Sequence, residues 1–431
     1  MINIRAFGFV FFAVLVLPLL LFAQKPPKPK KPEMLVYGSG ALAFAAALQG
    51  AKSGVPTLWV TGNKGLIPEL TDGGRLRIDN FPYLDGGIWL DLLMETGRSK
   101  AKNDSLALAI KQDISPQLVK NALDRMLAAH PLLTVVGSQP IRAINRQKRD
   151  WQVTLGNKQR FHVRTVLDAG KEQHLRALAG IENPAPQSAD VVPIGEISLG
   201  HSRTLVASGQ SGNAVYGVSL TDLLAAERDN FFDLAGVLGL CGDDPHDIPF
   251  KAAIGQALGA TAAYVAFFKT TADNIDVRKL QTELLTYGAK IVPYRDIQTT
   301  DIHFGALQKF GLSGMLQGHV EDRIFLLCKA ERVAYKEIEP IFNQLYSRSQ
   351  LWFADNRGEY FTWKDFLSLV KFVGMRGEIE KQIERDWSTK LKFDGAFDPD
   401  AYVNRYQFAV ILDRYAPPYP TAVTREGGFV R

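Results

Sequence analysis

MLVYGSGALAFAAALQGAKSGVPTLWVTGN, residues 34–63, decides the fold. Met34 to Tyr37 is a short apolar strand pattern, Gly38-Ser39-Gly40 breaks it, an alanine-rich run from Ala41 to Lys52 follows, and Gly54 ends that run. Thr57 to Val60 is a second apolar strand. Strand, glycine turn, helix and strand within about 30 residues make one βαβ unit. Gly38-x-Gly40-x-x-Ala43 lies at its first turn. There the first glycine permits the tight bend, the second lets backbone amides approach a pyrophosphate, and the small third residue brings helix and strand together. The helix start then offers N–H groups and a positive dipole end to the phosphates. One part is missing: an acid that binds ribose belongs at the end of the second strand, and that stretch reads Val60-Thr61-Gly62-Asn63. Thr61 and Asn63 offer a hydrogen bond without the charge.

Outward from this unit toward the start, Arg5 precedes an apolar run from Ala6 to Ala23 that ends Leu21-Phe22-Ala23-Gln24. A positive start, an apolar middle and a small residue at the end describe a secretory signal peptide cleaved after Ala23. The other reading is a membrane anchor, since about 18 residues is the short edge of the spanning range. The signal-peptide reading exports the rest of the chain: periplasmic, outer-envelope or extracellular. Lys25 to Pro32 alternates lysine with proline and reads as a stiff solvated tether, residues 24–33. The 431 residues are 46% apolar and 22% charged, enough for two or three globular domains. A net charge of +5, much of it in the tether, calls for no nucleic-acid partner. Cys241 and Cys328 are the two cysteines; they form one disulfide or stay as two free thiols. Cys241 and His246 lack the further close ligands a metal site needs, so no metal is expected.

Toward the C-terminus, Ser115-Pro116 reads as an N-cap followed by proline at the first helical position, opening a helix to about His130. Strand-like stretches follow at Leu133 to Val136, Ile141 to Asn145, Trp151 to Leu155, Phe161 to Val163 and Val166 to Asp168. Their polar turns predict a β-meander inserted into an α/β domain. Thr204 to Ser208 and Phe231 to Ala235 read as further strands, and Ala252 to Phe268 as an apolar helix rich in small residues. From about Asp296 the alternating β signals stop. Tyr335 to Tyr346, Thr362 to Val373 and Tyr406 to Tyr415 are helix-like. A domain boundary is expected between Val292 and Thr300, and an irregular tail over Pro417 to Arg431.

Several segments in order resemble the bacterial FAD-dependent oxidoreductases with a glutathione-reductase-type flavin fold. Leu35-Val36-Tyr37-Gly38-Ser39-Gly40-Ala41 is similar to that family's opening, and Gly73-Gly74 to its second glycine pair. Val166-Leu167-Asp168-Ala169-Gly170 resembles its "V-I-D-A-T-G" segment, without the threonine. Asn230 to Gly236 resembles "N-L-x-V-A-G-R", and Ile254-Gly255-Gln256-Ala257-x-Gly259-x-x-Ala262-Ala263 resembles "G-Q-A-x-G-x-A-A". The resemblance covers roughly residues 34–295.

It implies an α/β, Rossmann-like FAD-binding domain with an inserted β-meander over residues 34–295. It also implies FAD as the cofactor. Gly38, Gly40 and Ala43 would hold the pyrophosphate, with Thr61 nearest the missing acid. Gly73 and Gly74 would pass close to the cofactor, and Val135 or Val136 would reach the adenine end. Asp168 to Gly170 would line the adenosine side, and Gly236 would lie on the strand running toward the flavin. Gly255, Gln256 and Gly259 would set a helix N-terminus near the flavin ring, where a positive dipole end favours negative charge on reduced flavin. For a general base, His246 in Asp243-Asp244-Pro245-His246-Asp247 is the candidate, its ring oriented by Asp244 or Asp247; a solvated loop histidine is the other reading. Val237 stands where the family has a polar residue, and the substrate region between Gly180 and Asn230 is small.

The region 296–416 is expected to be a small, mainly helical domain. His303 to Gly318 and Phe397 to Ala409 resemble the first and second halves of an S-layer-homology repeat, which implies association with a cell envelope. Two function classes remain from the sequence. One is an exported FAD-dependent oxidoreductase acting on a small molecule. The other is a catalytically inactive flavin-fold descendant that serves as an envelope-associated binding or scaffold protein. An NAD-dependent dehydrogenase fits the Gly-Gln helix and the Asp-Ala-Gly segment less well.

Overall fold

The computed structural model describes residues 30–182, 191–315, 318–321 and 324–430. The expected signal peptide and most of the tether lie outside the described residues. Residues Lys31–Arg431 form one compact unit. No described helix is long and apolar enough to cross a membrane.

The βαβ unit forms as its sequence dictates. Strand β1 (Met34–Tyr37), helix α1 (Ala41–Lys52) and strand β2 (Thr57–Gly62) are followed by the short helix α2 (Pro68–Thr71) and by α3 (Gly87–Thr96), α4 (Asp104–Gln112) and α5 (Pro116–Ala128). Ser115 precedes Pro116 at the start of α5, but its hydroxyl makes no capping bond. Only its carbonyl joins the helix, accepting from the Val119 amide. Then come β3 (Leu133–Gly137), the antiparallel meander β4 (Ile141–Gln147), β5 (Asp150–Leu155) and β6 (Arg160–Val163), and β7 (Thr165–Asp168).

After α6 (His174–Leu178) and α7 (Leu199–Arg203), strands β8 (Leu205–Ser211) and β9 (Ala214–Ser219) make a hairpin. Helix α8 (Leu220–Leu223), the two-residue strand β10 (Phe231–Phe232), the 21-residue helix α9 (Ile248–Phe268) and α10 (Val277–Thr286) complete the α/β part. The strand expected to reach Ala235 is shorter, because the Asp233 carboxylate caps the Ala235 amide at 2.9 Å and turns the chain.

The main sheet is parallel, in the order β10-β7-β1-β2-β3. Side-chain alternation divides it cleanly. Met34, Val36, Trp59, Leu167 and Phe232 pack with the helices. Leu35, Leu58, Val60, Val166 and Phe231 pack with Ile144, Trp151, Val153 and Val163 of the meander. Helices thus cover one face and the inserted meander the other, an α/β Rossmann-like arrangement. Arg176 and Asp233, both buried, form an ion pair, and the guanidinium also donates to the Glu182 and Ala226 carbonyls. Cys241 and Cys328 are free thiols.

The C-terminal segment is mainly helical: α11 (Phe304–Ser313), α12 (Tyr335–Leu345), α13 (Ser349–Asp355), α14 (Trp363–Gly374), α15 (Glu380–Asp386) and α16 (Arg405–Tyr415). A small hairpin, β11 (His319–Glu321) with β12 (Ile324–Leu326), interrupts it, so β structure does not end at Asp296. Helices α11 and α16 are neighbours, with the Phe310 and Phe408 rings 6.1 Å apart.

Three copies of one local unit organise this segment. Val333, Phe361 and Val403 each enter a helix two residues later, and they bond in a ring. The Val333 amide donates to Val403, Val403 to Phe361, and Phe361 to Val333. Two residues on, a second ring repeats the pattern: Tyr335 donates to Glu359, Trp363 to Ala401, and Arg405 to Glu331. The result is approximate three-fold symmetry built from backbone hydrogen bonds, with Phe366 and Phe408 stacked at its centre and Phe361 packed against both at an angle. The helix starts match as well: Thr362 and Asn404 cap Asp365 and Gln407 three residues on.

Residues 417–430 contain no helix but are pinned to the α/β part. Arg278 donates to the Thr421 carbonyl at 3.2 Å, and Arg203 donates to the Gly427 carbonyl at 3.1 Å while stacking on Phe429.

Candidate functional site

In a doubly wound sheet, ligands bind outside the carboxyl ends of the strands. Here those ends carry the glycine turn. Gly38 and Gly40 have φ of +121° and +98°, which only glycine adopts without strain. The Gly38 amide donates to Val60 at 3.0 Å, the Trp59 indole donates to the Gly38 carbonyl at 2.8 Å, and the Gly40 amide donates to Leu66 at 2.8 Å. The neighbouring strand therefore holds the turn in shape. Ala43 is fully buried, and lets α1 lie close to the sheet.

Helix α1 has no side-chain cap of its own. Its first N–H groups lack partners within the helix and attract an anion. The anion present is Glu69. Its Oε1 accepts from the Ala41 amide at 3.4 Å, and it lies so close over Gly40 that a Cβ there would be 2.4 Å away. Pro68 starts α2, Leu70 and Thr71 are buried, and the Thr71 hydroxyl donates to Ile67 at 2.9 Å, which directs Glu69 at the turn. Lys251 of α9 lies 3.8 Å from the same carboxylate oxygen.

Around this contact is a cleft of about 400 Å³, whose walls include Gly38, Thr61, Asn63, Glu69, Gly170 and Lys251. Lys171 and Asp243 pair across its rim at 2.5 Å. Cys241 also faces it, and burial pushes its thiol up to about 12, so it is no nucleophile at neutral pH.

The structure brings together Gly38, Gly40, Ala43, Thr61, Asp168 and Gly170 from the sequence-derived set, and it places the others away from the cleft walls. Gly73 and Gly74 lie in an exposed turn after α2, away from the cleft walls. Val136 is half-buried on β3, also off the cleft. Gly236 packs against the Asp222 carbonyl. Gly255 and Gly259 lie within α9 against the backbone of α1, at Leu42 and Ala46. Gln256 is 2% exposed; its Oε1 accepts from the Ile88 amide at 3.1 Å and its Nε2 donates to Gln49 at 3.0 Å. Both ends of that side chain are used between helices. The His246 ring is oriented by a backbone group and not by Asp244 or Asp247: its Nδ1 accepts from the Asp79 amide at 2.8 Å. Asp244 instead accepts from the backbone amide of His246.

Asp168 is fully buried and organises the loop after β7, accepting from Gly170 at 3.1 Å, Leu175 at 2.8 Å and Arg176 at 3.4 Å. Burial pushes its carboxyl from 3.8 to about 6, against the pull of those three amides. Between these values the folded chain holds a proton that the unfolded chain has released. The protonated group stabilises the fold below about pH 4, and that contribution is lost as pH rises through 6, a change on the order of 3 kcal/mol. Relative to Asp168→Asn, the wild-type protein should lose stability between pH 4 and 6. Urea unfolding of both proteins across that range measures this, and a difference that stays flat with pH would refute it.

Glu69 and Lys251 are the cleft residues that sequence reasoning missed. Pro68-Glu69 does signal a helix start. Nothing in that signal says that the acid caps a different helix.

An FAD molecule does not fit this arrangement. The seat of its pyrophosphate is filled by a carboxylate, no acid stands at the end of β2 for its ribose, and Gln256 is committed to the helix interface.

Residues 33–191 match the model of the family described as FAD dependent oxidoreductase. No curated protein matches by sequence. Among solved structures, the bacillithiol disulfide reductase from Staphylococcus aureus is 14% identical, with a TM-score of 0.24, over 32% of this chain and 38% of that one. A structure titled OTEMO in complex with FAD and NADP is 18% identical, with a TM-score of 0.23, over 32% and 26%. An oxidoreductase from Agrobacterium tumefaciens is 11% identical, with a TM-score of 0.21, over 32% and 36%. The chain thus spans less than two-fifths of the length of these structures. The parallel sheet, the glycine turn and the match over residues 33–191 together liken this part of the chain to the FAD-dependent oxidoreductase fold.

Proposed function

We propose that this chain is a flavin-fold descendant that works without bound flavin, as an exported, envelope-associated binding or scaffold protein. The observation that carries this reading is the Glu69 carboxylate at the start of α1. A pyrophosphate brought there would meet a like charge within hydrogen-bonding range of the same amides, and such a pair is repelled by about 4 kcal/mol at 4 Å with an effective dielectric near 20. The missing acid after β2 and the inward-turned Gln256 support the same reading, because each removes a polar contact the cofactor would need. Export rests on the apolar run at Ala6–Ala23, and the three-fold helical segment offers the surface for envelope contact.

The test is the visible absorption spectrum of the purified chain, before and after excess FAD and desalting. The expected protein is colourless and releases all added FAD. A retained flavin spectrum would refute the reading and restore the oxidoreductase, acting on a small molecule that reduction assays would then seek.

A further inference from the structure

The opposite edge of the parallel sheet, where β1 and β7 begin, carries a chemistry of its own. Helix α9 ends there in Phe267 and Phe268, 59% and 53% exposed, with ring centroids 5.1 Å apart. Lys269 follows in the left-handed conformation and lines an open cavity of about 900 Å³ together with Lys148, Arg149, His162, Arg164 and Asp150. Lys148 and Arg149 form the exposed turn between β4 and β5. Two carboxylates nearby are engaged: Asp150 pairs with Arg164 at 3.6 Å, and Asp229 with Arg146 at 3.7 Å. Lys148, Arg149 and Lys269 have no ion-pair partner among the described residues. The chain also enters the compact unit at this edge, where the Glu33 carbonyl accepts from the Arg164 amide at 2.7 Å. Glu33 is itself exposed, and the residues just before it supply Lys25, Lys28, Lys30 and Lys31.

We propose that this face docks on an anionic lipid surface, with Phe267 and Phe268 entering the interface and Lys148, Arg149 and Lys269 meeting lipid phosphates. Basic charge alone suits any polyanion. A pair of adjacent exposed phenylalanines beside it is the combination that interfacial binding uses, apolar burial plus attraction to anionic headgroups. In this orientation the cleft at the other edge of the sheet faces away from the lipid. The inference is independent of whether flavin binds.

The experiment uses the chain from Gln24 to Arg431, which retains the whole compact unit. It measures co-sedimentation with vesicles of phosphatidylcholine alone and of phosphatidylcholine mixed with phosphatidylglycerol, at low and high salt. Binding is expected only to the mixed vesicles and is lost in high salt. Each lipid-facing basic residue contributes about 1 kcal/mol, so K148E/R149E should weaken binding at least about tenfold. F267S/F268S should also weaken it about tenfold, with urea midpoints unchanged because all four side chains are exposed. Absence of binding to mixed vesicles overturns the proposal. So does binding that F267S/F268S leaves intact while K148E/R149E abolishes it together with heparin retention, which assigns the face to a soluble polyanion. A dimer in sedimentation equilibrium that F267S/F268S dissolves overturns it too, by giving the phenylalanines to a second copy.

Discussion

Glu69→Ala should bind ADP at least about a hundredfold more tightly than the wild-type chain does, as read by calorimetry. A hundredfold corresponds to about 2.7 kcal/mol, below the roughly 4 kcal/mol of like-charge repulsion at 4 Å and therefore within what solvent screening leaves. ADP is the right probe because it carries the diphosphate without requiring the flavin end of the cleft. Glu69→Gln should give a smaller gain: the amide removes the charge but still fills the space above Gly40, where Oε1 now lies within 2.4 Å of a notional Cβ. Adding Lys251→Met to Glu69→Ala should reverse much of the gain, since Lys251 lies 3.8 Å from the carboxylate it would replace with phosphate. If Glu69→Ala binds no better than wild type, the block lies elsewhere, at Thr61 or in the rest of the cleft. If the wild-type chain already binds ADP as tightly as Glu69→Ala, the carboxylate swings aside freely and the reading as a flavin-free protein falls.

Much of the fold was legible because its signals are local. Strands read from alternation appear where expected: the meander from Ile141 to Val163, and β7 at Thr165–Asp168. The glycine turn was legible for the same reason, as the positive φ of Gly38 and Gly40 is a property of a few consecutive residues. What failed depended on contacts between distant segments. Glu69 is 28 residues from Ala41, and only the folded chain shows that its carboxylate ends on that amide. Gln256 belongs to a motif whose spacing is right, but spacing alone does not fix which face of α9 meets a cofactor. That is set by α1 and α3, which take up both ends of its amide.

The three-fold core shows the same limit from another side. The helices at Tyr335–Leu345, Trp363–Gly374 and Arg405–Tyr415 were each legible in sequence, while their equivalence was not. The three share little beyond an apolar entry residue (Val333, Phe361 or Val403) and an apolar position in the helix that follows. Their equivalence lies in backbone hydrogen bonds that close in a ring, and backbone bonds leave little trace in side-chain identity.

Gly259→Ala and Gly255→Ala should each destabilise the fold by about 3 kcal/mol, and the double variant should lose cooperative unfolding. Intrinsic propensity argues the other way, since alanine is favoured over glycine inside a helix by about 1 kcal/mol. The contacts decide the sign. A Cβ at Gly255 would lie 2.1 Å from the Leu42 carbonyl oxygen, and one at Gly259 would lie 2.4 Å from that of Ala46 and 2.7 Å from its Cα. These are backbone atoms of α1, so no side-chain rotation relieves the clash, and the two helices must move apart. Gly305 in α11 is the control: nothing lies within 4 Å of its Cβ position, and Gly305→Ala should stabilise by roughly 0.5 kcal/mol. Urea unfolding of the four proteins measures both signs in one series. The consequence reaches the cleft, because α1 presents Gly40 and the amides that hold Glu69. Moving α1 relative to α9 also separates the α1 amides from Lys251, so Gly259→Ala should shift ADP binding when it is added to Glu69→Ala. Were both glycine variants as stable as wild type, the close crossing of α1 and α9 would be wrong, and the glycines of the Gly-Gln helix would be free again to serve a cofactor.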